Sequence, residues 1–449
     1  MNGSQTLWCS GFCSALMIMG LLALNAFGQS GGGSYQVTSS VIGGGGGASC
    51  DGLAPCGGSN TFFKVEGTAG EPAAGDQLLR NPPYSHRAGF WYSTLGLTPT
   101  AADGAVSGRI TDQNGKPVEG VAVRMSGTQN RLTVTDTQGD YHFEDVQTNG
   151  FYIVTPSRAN YSFNPFNRSF TQIGNKTEAT FTGMSMGDNA NPLDTAEYFV
   201  RQQYVDILSR EPDEPGFNYW SDQINRCLSE PPAVAGGPTV SDCISARRIG
   251  VASAFFIENE FQASGSFIYD VYAGALGRRP AFAEYSSDRR QIIGGATLET
   301  EKTAFAQSFV ERAEFAAKYQ ANMAADSFVD TLLQTVRSSG VDLSGERASL
   351  INAYNGGANN VESRAAVVRA IADNATFKQA QYNSAFVLTE YFGYLRRDPD
   401  QSGYDFWLNV ISNRQVGNYR GMVCSFITST EYQRRFSTIV THSNGECGQ

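Results

Sequence analysis

Histidine is almost missing from this chain: among 449 residues only His86, His142 and His442 occur. Nucleophilic catalysis of the Ser-His-Asp or Cys-His kind needs a histidine base beside its nucleophile, and three scattered copies fit that poorly. No G-x-S-x-G elbow is read in the sequence. No Cys-x-x-Cys pair is present and no histidine has Glu three residues later, so the common zinc spacings are absent. The run Gly43 to Gly47 is not followed by Lys-Ser/Thr and is no phosphate-binding loop. Charge is scarce, 17% of residues against roughly a quarter in most soluble domains. What there is leans acidic, with a net charge of −10. That balance disfavours nucleic acid, whose phosphates need a basic face, and suits anionic lipid poorly. No apolar run after the N-terminus reaches the length of a membrane span, so the mature chain is expected to carry no stable one. Carboxylates are plentiful and their separation in space is invisible here, which keeps an unrecognised hydrolase in the C-terminal half as one alternative.

The first thirty residues hold no charged side chain, and an apolar stretch from Ala15 to Leu24 is followed by small residues at Ala26 and Gly28. Residues 1–28 read as a signal peptide cleaved before Gln29, and the protein as secreted or extracytoplasmic. The absent basic n-region leaves an uncleaved anchor or a mis-assigned start open. Of eight cysteines, Cys9 and Cys13 would leave with the signal. The remaining six are an even number, which in an exported chain reads as disulfides. Proximity in sequence favours Cys50–Cys56, Cys227–Cys243 and Cys424–Cys447; the middle bond would stabilise by about 3 kcal/mol on a loop-entropy argument.

Residues 29–97 are glycine-rich with short alternating stretches such as Tyr35–Thr38 and Phe62–Val65, a β-segment expected to end in a linker over 98–104. Its order of glycines, Val65 to Gly75 and Ala88-Gly89-Phe90-Trp91 resembles an N-terminal segment of exported bacterial proteins. From Ala105 apolar residues alternate: Val121, Val123 and Met125, then Leu132 and Val134, then Tyr141 and Phe143. Turn signals at Asp112–Gly115, Ser126-Gly127 and Gln138–Asp140 separate them, so a β-sandwich is expected over 105–183. The aromatics from Tyr161 to Phe170 are expected in its core, and His142 on its outer face.

Gly108-Arg109-Ile110-Thr111-Asp112, Asn114-Gly115-Lys116-Pro117-Val118 and Thr135 to Phe143 resemble the carboxypeptidase regulatory-like, transthyretin-like domain. That resemblance implies a non-catalytic seven-stranded sandwich, and since related folds bind starch and other glycans, it also implies a carbohydrate-binding alternative. It does not imply a carboxypeptidase, whose zinc would need His-x-x-Glu.

After a linker over 184–193 the pattern becomes helical, with Asp194 expected to cap the first helix and Glu197 at its third position. One motif occurs twice: Leu208, Pro212, Asp213, Gly216 and Trp220, and again Leu395, Pro399, Asp400, Gly403 and Trp407. Each is preceded by a stripe at i, i+4, i+7, i+8, Val200-Tyr204-Ile207-Leu208 and Val387-Tyr391-Tyr394-Leu395, and two further stripes fall at Ile268–Leu276 and Phe328–Val336. Each unit closes on a polar residue and an aromatic: Glu260-Phe261, Glu314-Phe315, Thr376-Phe377 and Glu431-Tyr432. About four helical units over 194–440 are therefore expected, with a tail over 441–449. In the motif, Pro would end one helix, Asp cap the next, Gly allow a left-handed turn and Trp anchor the helix in the core. Leu-x-Arg-x-Pro-Asp-x-x-Gly-x-x-x-Trp resembles a domain of unknown function, DUF4214. The resemblance carries no activity and no catalytic residue.

Asp398, Asp400, Ser402 and Asp405 imitate the start of a calcium loop, but Asn409 stands where a bidentate Glu belongs, so capping is the leading role. The expected fold class is thus multidomain β + α, a transthyretin-like β-sandwich followed by an all-α helical repeat domain. No cofactor and no catalytic residue is assigned. The expected partner is a protein or glycan at the cell surface.

Overall fold

A computed structural model describes residues 47–49, 65–67, 78–81 and 84–87, and residues 104–447 apart from 149, 172, 174–176, 231–236 and 258. The signal peptide, the stretch 35–38 and the Cys50–Cys56 pairing lie outside the described residues. The chain divides into two compact units, Met1–Thr100 and Ala101–Gln449. In the first, strand β1 (Gly47–Ser49) runs antiparallel to β2 (Val65–Gly67), and β3 (Leu78–Asn81) to β4 (Tyr84–Arg87).

The second unit begins with a β-sandwich of β5 (Gly104–Asp112), β6 (Ala122–Gly127), β7 (Arg131–Val134), β8 (Asp140–Val146), β9 (Tyr152–Ser157), β10 (Tyr161–Asn164), β11 (Arg168–Phe170), β12 (Thr177–Glu178) and β13 (Phe181–Ser185). One sheet has β5 at its centre, with β8 on one side and β12 and β13 on the other; the second runs β11-β9-β6-β7. Nine described strands replace the seven expected. Part of the excess arises because β12 and β13 pair in parallel with successive lengths of one edge of β5, Thr177 opposite Val106 and Phe181 opposite Ile110. Val106, Ile110, Val121, Val123, Met125, Tyr141 and Phe143 fill the space between the sheets, and His142 is exposed, as the alternation requires. The polar turns are self-satisfied: the Asp112 carboxylate accepts from the N–H groups of Asn114 and Lys116, and Asp136 does the same for Gln138 and Asp140.

Among the described residues fourteen α-helices follow. They are α1 (Ala196–Gln203), α2 (Glu214–Ser229), α3 (Val240–Ile257), α4 (Asn259–Leu276), α5 (Phe282–Arg289), α6 (Leu298–Val310) and α7 (Ala313–Lys318). The chain continues through α8 (Ala325–Ser338), α9 (Arg347–Asn355), α10 (Asn360–Ala372), α11 (Ala375–Glu390), α12 (Gln401–Asn409), α13 (Tyr419–Ile427) and α14 (Thr430–Gln433). No described helix is long and apolar enough to cross a membrane. All four stripes face one hydrophobic core, with Leu208 inside it and Leu276 and Leu395 half-buried against it. Cys227–Cys243 and Cys424–Cys447 are bonded; the former ties the end of α2 to the start of α3.

The sandwich and the helices share packing. Leu132 and Val134 alternate as expected, yet their side chains join the helical core and not the sandwich's own. The stretch 184–193 is no free linker. The Asp188 carboxylate accepts from the hydroxyls of Ser437 and Thr438, and the buried Asn191 amide donates to the carbonyls of Gln433 and Ile439. The C-terminal tail is fastened as well, through the Ser245 hydroxyl on Glu446 and His442 between Asp194 and Glu446. The expected N-cap at Asp194 is corrected. Asn191 caps a 3-10 turn over Pro192–Asp194, and α1 starts one residue later, after Thr195, whose side chain makes no cap bond. Asp194 instead accepts from the Thr441 hydroxyl.

Asp213 and Asp400 do cap α2 and α12, accepting from the N–H of Gly216 at 3.1 Å and of Gly403 at 2.8 Å. These glycines are not left-handed, contrary to expectation. They are required because a Cβ on Gly216 would lie 2.2 Å from the Tyr204 hydroxyl, and one on Gly403 2.5 Å from that of Tyr391. The left-handed residues are Ser209 (φ 55°) and Arg396 (φ 52°), directly after the motif Leu, where a π-helical turn ends. Gly216→Ala should therefore cost about 1–3 kcal/mol, and Tyr204→Phe in the same chain should recover part of it. Denaturant unfolding of both variants checks this, and an equal loss in the double variant would refute the assigned clash.

Candidate functional site

The two motif loops are held by one construction. In the first, Arg210 grips Glu260 with two parallel bonds, Nε to Oε1 at 2.6 Å and Nη2 to Oε2 at 2.9 Å, while its guanidinium lies 4.9 Å over the Tyr204 ring. In the last, Arg397 grips Glu431 at 2.6 and 3.1 Å and stands 5.4 Å over Tyr391. A third copy occurs where the motif itself is incomplete: Arg278 holds Glu314 at 2.8 and 2.5 Å and stands 5.1 Å over Tyr272. In all three the remaining Nη1 donates to the carbonyl of the next residue, Glu211, Arg279 or Asp398. Planar, bidentate pairing of this kind is specific to arginine. The hydrogen bonds they donate to the carboxylates hold all three guanidinium pKa values above their usual range.

The clasp joins the stripe, through its tyrosine, to the closing pair, through its glutamate, so both ends of each segment are fixed to one arginine. Between Phe328 and Phe377 all three members are different at once: Leu332 stands where the tyrosine would be, Ser338 for the arginine and Thr376 for the glutamate. Loss of the set together is what electrostatics demands, since a half-buried guanidinium without its carboxylate is costly. Where the motif Trp is missing, Asp288 takes its register position, buried and held by the Tyr272 hydroxyl at 2.8 Å and by Arg312 at 2.6 and 2.9 Å.

Loop positions that differ between the two motif copies reach different neighbours. In the first, Glu211 is gripped by Arg201 at 2.8 and 2.5 Å, and Glu214 by Arg131 of the sandwich at 2.6 and 2.6 Å. In the last, the corresponding Asp398 accepts from the Phe282 N–H at 2.8 Å, and Gln401 accepts from Arg279 at 3.1 Å. The motif thus sets a shape, and its variable positions choose the neighbour.

Trp220 and Trp407 are half-buried, their rings 5.6 and 5.9 Å from Phe255 and Phe426. They rest on the core's edge; Phe217 and Tyr404, one residue after each glycine, are the buried anchors. The four oxygen-bearing side chains that imitate a calcium loop each have another use. Asp400 is spent on the cap and the Ser402 hydroxyl, Asp398 on Phe282, and Asp405 on the Gln401 amide. Among the described residues no three His, Cys, Asp or Glu side chains are grouped to hold a metal. The spelling Gly183-Met184-Ser185-Met186-Gly187 does satisfy G-x-S-x-G, contrary to the sequence reading. It ends strand β13 and turns at Gly187 (φ 88°) into residues that form no α-helix, so it is not a nucleophile elbow. Of the sandwich aromatics, Tyr161, Phe163 and Phe170 pack against its core, whereas Phe166 is 72% exposed.

The first and last stripes meet directly. Gly393 lies against Ile207 and the Asp206 carbonyl. The fully buried Asp206 carboxylate accepts from Arg396 at 2.8 Å and from Arg435 at 2.8 and 3.1 Å. Gln203 accepts from the Tyr394 hydroxyl at 2.6 Å. Glu390, the counterpart of Gln203, is fully buried with neither carboxyl oxygen partnered among the described residues. Burial holds its pKa well above the ordinary 4.5.

Family comparison agrees with this division. Residues 105–182 match the carboxypeptidase regulatory-like domain, and residues 370–436 match a domain of unknown function, DUF4214. The second match contains the Arg397–Glu431 clasp; the clasps at Arg210 and Arg278 lie outside it. No curated protein matches the chain. Both ends of the clasp are visible in the sequence, the arginine inside the motif and the glutamate in the closing pair. Sequence reasoning missed the bond between them, and their joint replacement at Ser338 and Thr376 was the signal that could have found it.

Glu260→Ala should cost about 1–3 kcal/mol by stranding Arg210, whereas Arg337→Ala, at an exposed pair with Asp342, should change stability by less than about 0.5 kcal/mol. Urea unfolding of both checks the contrast. Glu390 gives a pH-dependent test. Because its folded pKa is raised, the unfolded chain releases a proton near pH 4.5 that the folded chain keeps, so stability falls as pH rises from there toward the folded value. Asp270 adds a slope of the same sign. Glu390→Gln should melt above the parent protein at pH 8 and converge with it near pH 4, with about 1.4 kcal/mol regained per unit of the elevation removed.

Proposed function

We propose that this chain is a secreted, non-catalytic modular protein whose helical part serves interaction, adhesion or assembly at the cell envelope or outside it. The observation that carries this reading is a pair of exposed aromatics at matching places. Tyr219 and Phe406 each precede the motif Trp, stand edge-on to it with ring centroids 4.9 and 5.2 Å apart, and remain 56% and 51% exposed. The Trp rings already cover the core edge there, so the fold has no need of these two. Exposed aromatic rings backed by a rigid ring are what a partner's apolar surface buries first. The recurrence of the clasp supports reading the helical region as four units, the third degenerate, and assembly surfaces built from such units are common. The two bonded cysteine pairs support an oxidising compartment.

A second reading, carbohydrate binding through the sandwich, is favoured by Phe166, a ring free to stack on a sugar face. Immobilised full chain should retain an envelope protein; the double variant Tyr219→Ser with Phe406→Ser should lose it with no change in melting temperature. Polysaccharide retention that disappears in Phe166→Ala, with protein retention unaffected by the double variant, would replace the first reading by the second.

A further inference from the structure

A cavity of about 300 Å³ opens between α4 and the first half of α11, lined in part by Gln262, Ser266, Asp270, Asp373, Lys378 and Tyr382. Its size is at the lower end of ligand pockets, roughly 300–1,000 Å³. Asp270, on α4, is only 2% exposed, and its carboxyl receives no hydrogen bond from any described residue. A buried carboxyl left so is rare, since burial of an unpaired charge is expensive. The neighbouring Asp373 is already neutralised by Lys302 and Arg369. The ammonium of Lys378, on α11, makes no ion pair or hydrogen bond with any described residue and is farther from Asp270 than the 4.0 Å of a salt bridge. One carboxyl and one ammonium therefore line the same small space without touching each other.

We propose that this cavity binds a free α-amino acid or similarly compact zwitterion, its ammonium on Asp270 and its carboxylate on Lys378. Only a ligand carrying both charges pairs both groups, and a single ion would leave one of them unsatisfied. The amide of Gln262 and the hydroxyl of Ser266 already bond to each other at 3.3 Å, giving a neutral polar wall beside the carboxyl. Burial pushes the Asp270 carboxyl well above the usual range, with Lys378 and Lys302 pulling the other way. An arriving ammonium supplies the counter-charge that the empty cavity lacks. The site shares no residue with the clasps or with the exposed aromatic pair.

Calorimetric titration of the full chain with glycine and glutamine, and with ethanolamine and acetate as single-charge probes, tests this. The amino acids should bind at least tenfold more tightly than either probe. Asp270→Asn, a neutral side chain of the same shape, should weaken amino-acid binding tenfold or more. Lys378→Met should reduce the amino acids to the level of ethanolamine and leave ethanolamine itself unchanged. No heat from either amino acid at millimolar concentration, or equal affinity in Asp270→Asn, would overturn the proposal. If circular dichroism shows that Asp270→Asn does not fold, the half-buried Lys378→Met still decides: unchanged amino-acid affinity there also overturns it.

Discussion

One contact recurs at three turns of the helical region: an arginine lying over a tyrosine and gripping a glutamate with two bonds. Its physical advantage is that a single side chain meets three requirements. The guanidinium covers an aromatic face, satisfies a carboxylate bidentately, and spends its last nitrogen on a loop carbonyl that has no helical partner. A lysine has three donors but no planar fork, so it could not pair the carboxylate bidentately while lying flat on the ring. The cost is interdependence. A guanidinium between a quarter and two fifths exposed is tolerable only while its carboxylate is present. This explains why the stretch from Phe328 to Phe377 lacks tyrosine, arginine and glutamate together rather than one at a time.

With the turn fixed in this way, its outward positions are free to differ. Glu211 and Glu214 reach arginines, one on α1 and one on the sandwich, whereas Asp398 and Gln401 reach the start of α5 and Arg279. The sandwich is therefore not a bead on a string. Its strand β7 lends Leu132 and Val134 to the helical core, and the stretch after β13 is bonded to the chain's last residues. The acidic excess that argued against nucleic acid is spent in part on these joints.

Much of this was legible in the sequence. The alternation at Val121–Met125 and Tyr141–Phe143 gave the sheet faces, and the i, i+4, i+7, i+8 stripes gave the buried helix faces, because burial imposes its period directly on composition. The capping roles of Asp213 and Asp400 followed from residue chemistry alone. Contacts across long sequence separations did not follow. Glycine at 216 and 403 was assigned to backbone freedom, although a tyrosine hydroxyl from the preceding helix requires it. The alternation of Leu132 and Val134 was read correctly, but which core they entered depends on helices more than sixty residues away. Capping, the leading role for the calcium-like spacing, is the one seen at Asp400, and Asp398 and Asp405 each have a donor of their own.

The buried acids separate two kinds of unmet polarity. Glu390 is fully buried where the first and last stripes meet, beside Tyr394, with neither carboxyl oxygen partnered among the described residues. Protonation is then its only remedy, and a glutamine at the matching Gln203 shows the neutral solution that the same fold uses elsewhere. Asp270 has an opening and an unpaired ammonium on the same wall system. An alanine would satisfy a purely structural position as well as a protonated carboxyl, without the desolvation. In a cavity that Lys378 also lines, a zwitterion entering between them would give that carboxyl the partner it lacks.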